Sequence, residues 1–277
     1  MTDLSKLRIL QDHEVAQLAI DNPGVKWNPE KWCPTCRRAD VDKLGNAFYR
    51  NGGQRVLCDC AEQMMLFKHY MLAGIGKTYH RLSWRDFVRS KAVADEVSSY
   101  VENHVEFVDR GVGIIFIGPI GSGKTMLANL ALKELIKLGY KCHATSAEET
   151  TSNMTATWRS TDDKRRFEDV YVRSEVLLLD DFGRGLINDR TGVVKEEHKF
   201  KEGIIDTILR KRVQYGRPTL FTTNLSTNKL LEGYGPAVHS LIAERSIPLE
   251  VKGRDFRPEV LDLEIDEAAR GERKPIV

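Results

Sequence analysis

The chain has 277 residues, 41% hydrophobic and 30% charged, with a formal net charge of +2. That is an ordinary globular balance with room for about two domains, and it leaves no global basic field able to hold nucleic acid by itself. No apolar run is long enough to span a bilayer, and the charge-interrupted opening MTDLSKLRILQDHEVAQL lacks the apolar core of a signal peptide, so a cytoplasmic location is expected.

Leu4, Leu7, Leu10, Val15 and Leu18 carry a helical period over residues 4–20, which Asp21, Asn22, Pro23 and Gly24 stop. Four of the five cysteines then fall within residues 33–60. Cys33 and Cys36 form a C-x-x-C turn and Cys58 and Cys60 a C-x-C turn, and the loop between them holds Gly45, Asn51, Gly52 and Gly53. Two close pairs on a loop that can turn back suit a tetrahedral four-sulfur zinc site. A redox thiol pair is the rival, but such pairs lie on a βαβ pattern, which this stretch lacks. Cys142 stands alone in an apolar run and reads as core.

A helix is expected over residues 62–72, ended by Gly74. Residues 74–90 are irregular, with Arg81, Arg85 and Arg89 set among Tyr79, Trp84 and Phe87. Such a mixture offers phosphate contacts and stacking surfaces to a single strand of DNA. A helix over residues 91–109 leads to Gly111. From there short apolar runs alternate with longer amphipathic ones. Strands are expected over residues 113–117, 141–145, 176–179, 219–222 and 248–251, and helices over 124–138, 197–215 and 237–245, with helix and loop over 146–171. This alternation predicts an α/β fold with a parallel sheet covered on both faces. The tail after Pro258 is charged and partly helical, and its last residues, GERKPIV, are expected to be disordered.

Residues 114–125 read IIFIGPIGSGKT. Gly118, Gly121, Ser122, Gly123, Lys124 and Thr125 fill the pattern G-x-x-x-x-G-K-S/T, between an apolar strand and an amphipathic helix. Glycine lets the backbone close around phosphates with its N–H groups inward, and the helix adds its N-terminal dipole. Lys124 would reach the β- and γ-phosphates and Thr125 a magnesium ion. A nucleoside triphosphate is therefore expected, with ATP the first candidate.

Residues 175–183, EVLLLDDFG, place two aspartates at the C-terminal end of a buried strand, where ligands sit in open α/β sheets. Asp180 would hold the magnesium through water, and Asp181 would orient and deprotonate the attacking water. Thr223 and Asn224 end the next apolar strand. The Asn224 amide could bond the γ-phosphate or the water, and Asn-Leu-Ser is equally good helix-capping chemistry.

Together these segments resemble the AAA+ ATPases of the bacterial and phage DnaC/DnaI type, which load the replicative helicase. Transposition helpers of the IstB type share that ATPase core. The resemblance runs from about Ala73 to Arg257. It rests on Ala73-Gly74-Ile75 with Tyr79 and Trp84-Arg85-Asp86-Phe87, on GPIGSGKTMLANLALKEL, on LLLDDFG, on RPTLFTTNLS and on VKGRDFR. It implies that the segment with Tyr79 helps hold the adenine, that Asn224 is the sensor residue, and that Arg257 is a second sensor-like arginine in a G-x-D-Y/F-R motif. Where the family carries Ser-Arg-Leu, with an arginine that reaches the neighbouring subunit's ATP, this chain reads Ser240-Leu241-Ile242. Arg245, four residues beyond Leu241 on the same helix face, and Arg212 are the candidates to replace it.

The resemblance implies a loader that binds the replicative helicase hexamer and single-stranded DNA and self-associates on ATP; an IstB-like transposition helper is the alternative. The expected domains are residues 1–70, a helix plus a zinc-ribbon-like helicase-binding module; residues 71–258, the AAA+ core with a five-stranded parallel sheet; and residues 259–277, a charged tail. Only about 25 residues follow the fifth strand, too few for a lid of several helices at ~11–12 residues each.

Overall fold

The computed structural model describes residues 4–23, 40–41, 47–88, 90–157, 160–184, 198–270 and 274–277. The chain opens with helix α1, Asp12–Asp21. This is shorter than the apolar period suggests, because Leu4 and Leu7 lie ahead of the helix and pack on the main core instead. Strands β1 (Asp40–Val41), β2 (Ala47–Asn51) and β3 (Gln54–Leu57) form a small antiparallel sheet in that order. Helix α2, Asp59–Leu72, follows.

Two 3-10 turns, Lys77–Tyr79 and Trp84–Asp86, shape the irregular segment that the sequence suggests. The single helix expected over residues 91–109 is two, α3 (Lys91–Glu102) and α4 (His104–Asp109). Asn103 leaves helical geometry between them and donates its side-chain amide to the Ser99 carbonyl at 2.8 Å.

The remaining elements alternate as expected: β4 (Gly113–Ile117), α5 (Lys124–Lys137), β5 (Cys142–Ser146), α6 (Ala147–Thr157), α7 (Thr161–Phe167) with a π turn over Glu168–Val172, β6 (Val176–Asp180), α8 (His198–Gln214), β7 (Thr219–Thr223), α9 (Thr227–Arg245), β8 (Ser246–Glu250) and α10 (Arg257–Ala269). Helix α9 is kinked where Gly235 and Pro236 interrupt it. The five later strands form one parallel sheet in the order β5-β6-β7-β4-β8. Alternate strand residues feed two cores. Ile114, Phe116, Leu178 and Leu220 face α5 and its neighbours, while Ile115, Leu177, Leu179 and Phe221 face the side of α8 and α9. This is the AAA+ P-loop architecture, with the ends of β4, β6 and β7 side by side.

Two expectations are corrected here. Residue 70 is not a clean boundary: α2 runs through it, and Leu66 and Tyr70 belong to the same buried cluster as α5 and β4. The end of the chain is also ordered where it is described. Ile276 packs on the main core, Tyr70 donates its hydroxyl to the Val277 carbonyl at 2.9 Å, and the Val277 amide donates to His80 at 3.2 Å. Polar contacts that composition does not reveal hold this tail. Among the described residues one helix, α10, follows β8. None of their helices is long and apolar enough to cross a membrane.

Candidate nucleotide-binding site

Strand β4 delivers the phosphate loop to the C-terminal edge of the sheet. Gly121 and Gly123 have φ of +72° and +97°, a region costly for any residue with a Cβ. Space forbids a side chain as well. A Cβ on Gly121 would overlap the Asp255 carboxylate, and one on Gly123 would lie 2.8 Å from the Phe87 ring. The loop is therefore backbone wrapped by Asp255 on one side and Phe87 on the other. The Ser122 hydroxyl is fully buried beneath it and has no hydrogen-bond partner among the described residues. An inward-facing cradle with an unmatched polar group fits a polyanion.

Lys124 opens α5 and is buried. Its ammonium spans the loop, donating to the carbonyls of Gly118 at 2.9 Å and Pro119 at 2.7 Å. Burial pulls its pKa below the usual lysine value, against the opposing pull of Asp181 and Asp180. Thr125 donates its hydroxyl to Asp180 at 2.9 Å. Asp180 also accepts the Thr222 hydroxyl at 2.5 Å. Burial pushes the Asp180 carboxyl up, beyond what these two hydroxyls pull down, and a cation at this point would restore its charge. A threonine hydroxyl beside a carboxylate is the oxygen donor set of a magnesium ion that also takes its ligands from phosphates and water.

Asp181 has φ of +52° and is the sole non-glycine residue with positive φ among those described. Such strain accumulates at functional sites. Its amide donates to the Thr222 hydroxyl at 3.0 Å and its carboxylate receives Arg184 at 3.3 Å. A cavity of about 210 Å³ opens at this end of the sheet, lined among others by Ser146, Glu148, Asp180, Asp181 and Arg184. Asn224 is exposed just past β7. The Thr223 carbonyl accepts the Gly118 amide at 3.2 Å, so Asn224 adjoins the start of the phosphate loop.

Tyr79 is raised in pKa by burial and by Asp180, with Arg257 opposing. The Arg257 charge also reaches Lys124. The Arg257 amide donates at 3.0 Å to Asp255, whose carboxylate lies against Gly121. Thr222, Asp255 and Phe87 were not singled out as site residues from sequence. The only available signal was their presence inside the matched segments.

Other candidates lie elsewhere. Arg245 precedes β8, whose first residue pairs with Gly113 at the start of β4. It contacts the Arg110 carbonyl at 3.4 Å, the length of a five-residue strand, roughly 16 Å, from its own phosphate loop. Leu241 packs inward on the core. Arg212 cannot be a trans-acting finger: it is fully buried and bonds Thr219, Ser174 and the carbonyls of Tyr171, Val172 and Pro218.

Cys58 is buried and Cys60 half-buried at the head of α2, while Cys33 and Cys36, like Arg89, lie outside the described residues. Among the described residues no cluster of three or more His, Cys, Asp or Glu is placed to hold a metal. Cys142 is buried in the core, as expected.

Comparison with known proteins agrees with this geometry. The chain is 26% identical over 161 residues to an ATP-binding protein of insertion sequence IS5376 from Geobacillus stearothermophilus, covering 55% of this chain and 58% of that relative. The chain thus matches a little over half the relative's length. The crystal structure of the DnaC helicase loader superposes with a TM-score of 0.54 at 21% identity, covering 64% of this chain and all of that one. The replication initiator DnaA bound to AMPPCP and single-stranded DNA superposes at 0.52 and 19% identity, over 69% and 56% of the two chains. At these identities the two structures share the fold. The family profile of IstB-like ATP binding proteins matches residues 67–229, and with over half of its length matched, from α2 into α9, the chain belongs to that family.

Proposed function

We propose that this chain is a magnesium-dependent ATPase that uses its nucleotide cycle to load a replicative DNA helicase onto single-stranded DNA. The observation that carries the ATPase reading is the bond from Thr125 to Asp180 at the mouth of the phosphate loop. It joins the phosphate-binding helix to the acidic strand end at one point. Thr125, and Asp180 through water, would hold a magnesium ion there, which would supply neutralisation of phosphate charge. Lys124 turns from the loop carbonyls to the β- and γ-phosphates. Asp181 takes a proton from water as the water oxygen bonds to the γ-phosphorus. The bond from that phosphorus to the β–γ bridging oxygen breaks, leaving ADP and phosphate. Asn224 orients the water or the γ-phosphate, and Tyr79 and Arg257 hold the nucleotide from the adenine and phosphate sides. Arg245, remote from its own loop, serves a second copy assembled on ATP.

The loader reading is supported by the module ahead of the ATPase core: a small antiparallel sheet that runs directly into Cys58 and Cys60. With Cys33 and Cys36 these would hold zinc and present a surface to the helicase hexamer. A different observation favours the second reading, a transposition helper: the curated relative is an insertion-sequence protein. Two experiments test the proposal. Lys124→Ala should abolish tight ATP binding, whereas Asp181→Asn should keep binding and lose turnover by on the order of 10²–10⁴-fold. A pull-down of the full chain against the host's replicative helicase should retain the hexamer. Capture of a transposase instead, with no helicase, moves the protein to the second reading.

A further inference from the structure

Lys133 occupies a core position of α5, flanked by Leu130, Ala131, Leu132 and Leu135. It is 1% exposed. Burying an ammonium is costly unless its donors are matched, and here all three are. Its Nζ donates to the carbonyls of Tyr79 at 3.0 Å, His80 at 3.2 Å and Leu82 at 2.6 Å. The Tyr70 ring lies beneath it, 5.2 Å from the ring centre. The three acceptors belong to one stretch of chain, the end of the first 3-10 turn and the residues after it. That stretch carries Tyr79 to the site and leads on to Phe87, which packs on Gly123. Lys133 thus ties the adenine-side segment to the helix that begins with Lys124 and Thr125.

We infer that Lys133 is a positioning residue of the nucleotide site, fixing Tyr79 and its turn against the phosphate-loop helix and so setting nucleotide affinity rather than the chemical step. The inference rests on the nucleotide reading given above. The charges around it are Glu134 and Lys137 on α5, Asp86 and its partner Lys274, and His80, Arg81 and Lys77 in the turn itself. Burial, then Lys137, pulls its pKa down to about 7, against Glu134 and Asp86. An ammonium has three N–H donors and a neutral amine two. As pH rises through that value, one of the three carbonyls loses its donor and the grip on the turn loosens.

The test uses the full chain, mant-ATP binding and steady-state turnover at saturating magnesium. Lys133→Met should raise Kd and KM about tenfold, the scale of lost hydrogen bonds to a charged group, with kcat within about twofold. In the wild type, KM should rise between pH 6 and 8, and Lys133→Arg, which keeps its charge, should flatten that rise. A folded Lys133→Met variant with wild-type affinity overturns the inference. Should that variant not fold, Lys133→Gln, which keeps two N–H donors, decides: wild-type Kd and KM in that folded variant overturn the inference equally. Lys124→Ala is the control without nucleotide binding. A wild type that binds no mant-ATP removes the nucleotide reading itself, and this inference with it.

Discussion

Thr222 on β7 donates its hydroxyl to Asp180 on β6 at 2.5 Å and accepts the Asp181 amide at 3.0 Å. One hydroxyl therefore holds both acidic residues, one through its carboxylate and the other through its strained backbone. Thr222→Val keeps the shape of this fully buried side chain and deletes both bonds. Without the hydroxyl that pulls it down, Asp180 rises further and binds magnesium less readily, while Asp181 loses its anchor. Turnover should fall by about tenfold or more and stability by roughly 1–3 kcal/mol, the cost of an unmatched buried amide and a lost charge-assisted bond. The magnesium concentration for half-maximal turnover should also rise. Wild-type magnesium dependence in this variant would show that Thr222 is ordinary strand filling.

Gly121 tests the cradle from the other side. Alanine there meets both a disfavoured φ and the Asp255 carboxylate. The carboxylate also caps α10 by accepting the Arg257 amide, so it cannot swing away without freeing that helix end. Gly121→Ala should lose ATP affinity by more than about tenfold, since close approach of the loop backbone to phosphate is what glycine permits. In Gly121→Ala with Asp255→Ala the carboxylate overlap is removed while the 2.8 Å approach to the Asp255 Cα and the φ strain remain, so only part of the affinity should return. No recovery in the double variant would mean that the backbone, through the φ of Gly121 and the Asp255 Cα beside it, sets the cost.

The five parallel strands were legible because each is a short, continuous apolar run between turn signals, and the phosphate loop because its glycines serve one geometry. Asp180 and Asp181 followed from their place at a strand end. Less legible were features fixed by neighbours distant in sequence. Nothing in local periodicity marks Lys133, because the carbonyls that bind it, those of Tyr79, His80 and Leu82, come from a segment distant in sequence. Arg212 stands among the candidate trans-acting arginines from its place near the end of α8, yet Ser174, Thr219 and four main-chain carbonyls enclose it. The tail reads as disordered because its attachment is polar and local periodicity is blind to such contacts.

That attachment predicts a pH response. Lys274 donates to Asp86 and Glu267, each at 2.8 Å, and its carbonyl accepts Arg81. Burial pushes Asp86 up, but Lys274 and Ser83 outweigh it and hold its carboxyl below the ordinary 3.8. Hydrogen bonds to Asp86 and Glu267 hold Lys274 above its ordinary 10.5. The Asp86 contribution is present above 3.8 and lost as pH falls through its lower folded value. The Lys274 contribution is present below 10.5 and lost as pH rises through its higher folded value. Protection of the Val277 amide from hydrogen exchange, relative to its intrinsic rate at each pH, should be highest between these limits and fall beyond either. Truncation after Arg270 should lower Tm by a few degrees at neutral pH and by less near pH 3. An equal drop at both would assign the tail's contribution to Ile276 packing alone.

The cysteine module yields the last prediction. Cys58 follows β3 directly and caps α2, and Cys60 lies in the first helical turn. The hairpin that places them turns at Gly52 and Gly53, both at positive φ. A helix N-terminus favours the thiolate over the thiol, and thiolates are what zinc takes. Two sulfurs are half of a tetrahedral set, and Cys33 and Cys36 supply the number and type of donor that remain. Anaerobically purified protein should therefore carry about one zinc per chain, and Cys58→Ser should lose most of it. Among the described residues Cys58 clusters with Tyr49 and Cys60, apart from the core that supports the phosphate loop. Stripping the metal should thus unfold the β1–β3 sheet while mant-ATP affinity stays within about threefold, because binding energy in such a module is its own folding energy. Elemental analysis together with nucleotide titration reads both outcomes. Metal-free protein that reversibly loses two titratable thiols on mild oxidation would instead make these cysteines a redox pair. Zinc loss that abolishes nucleotide binding would show that the module and the ATPase core fold as one unit.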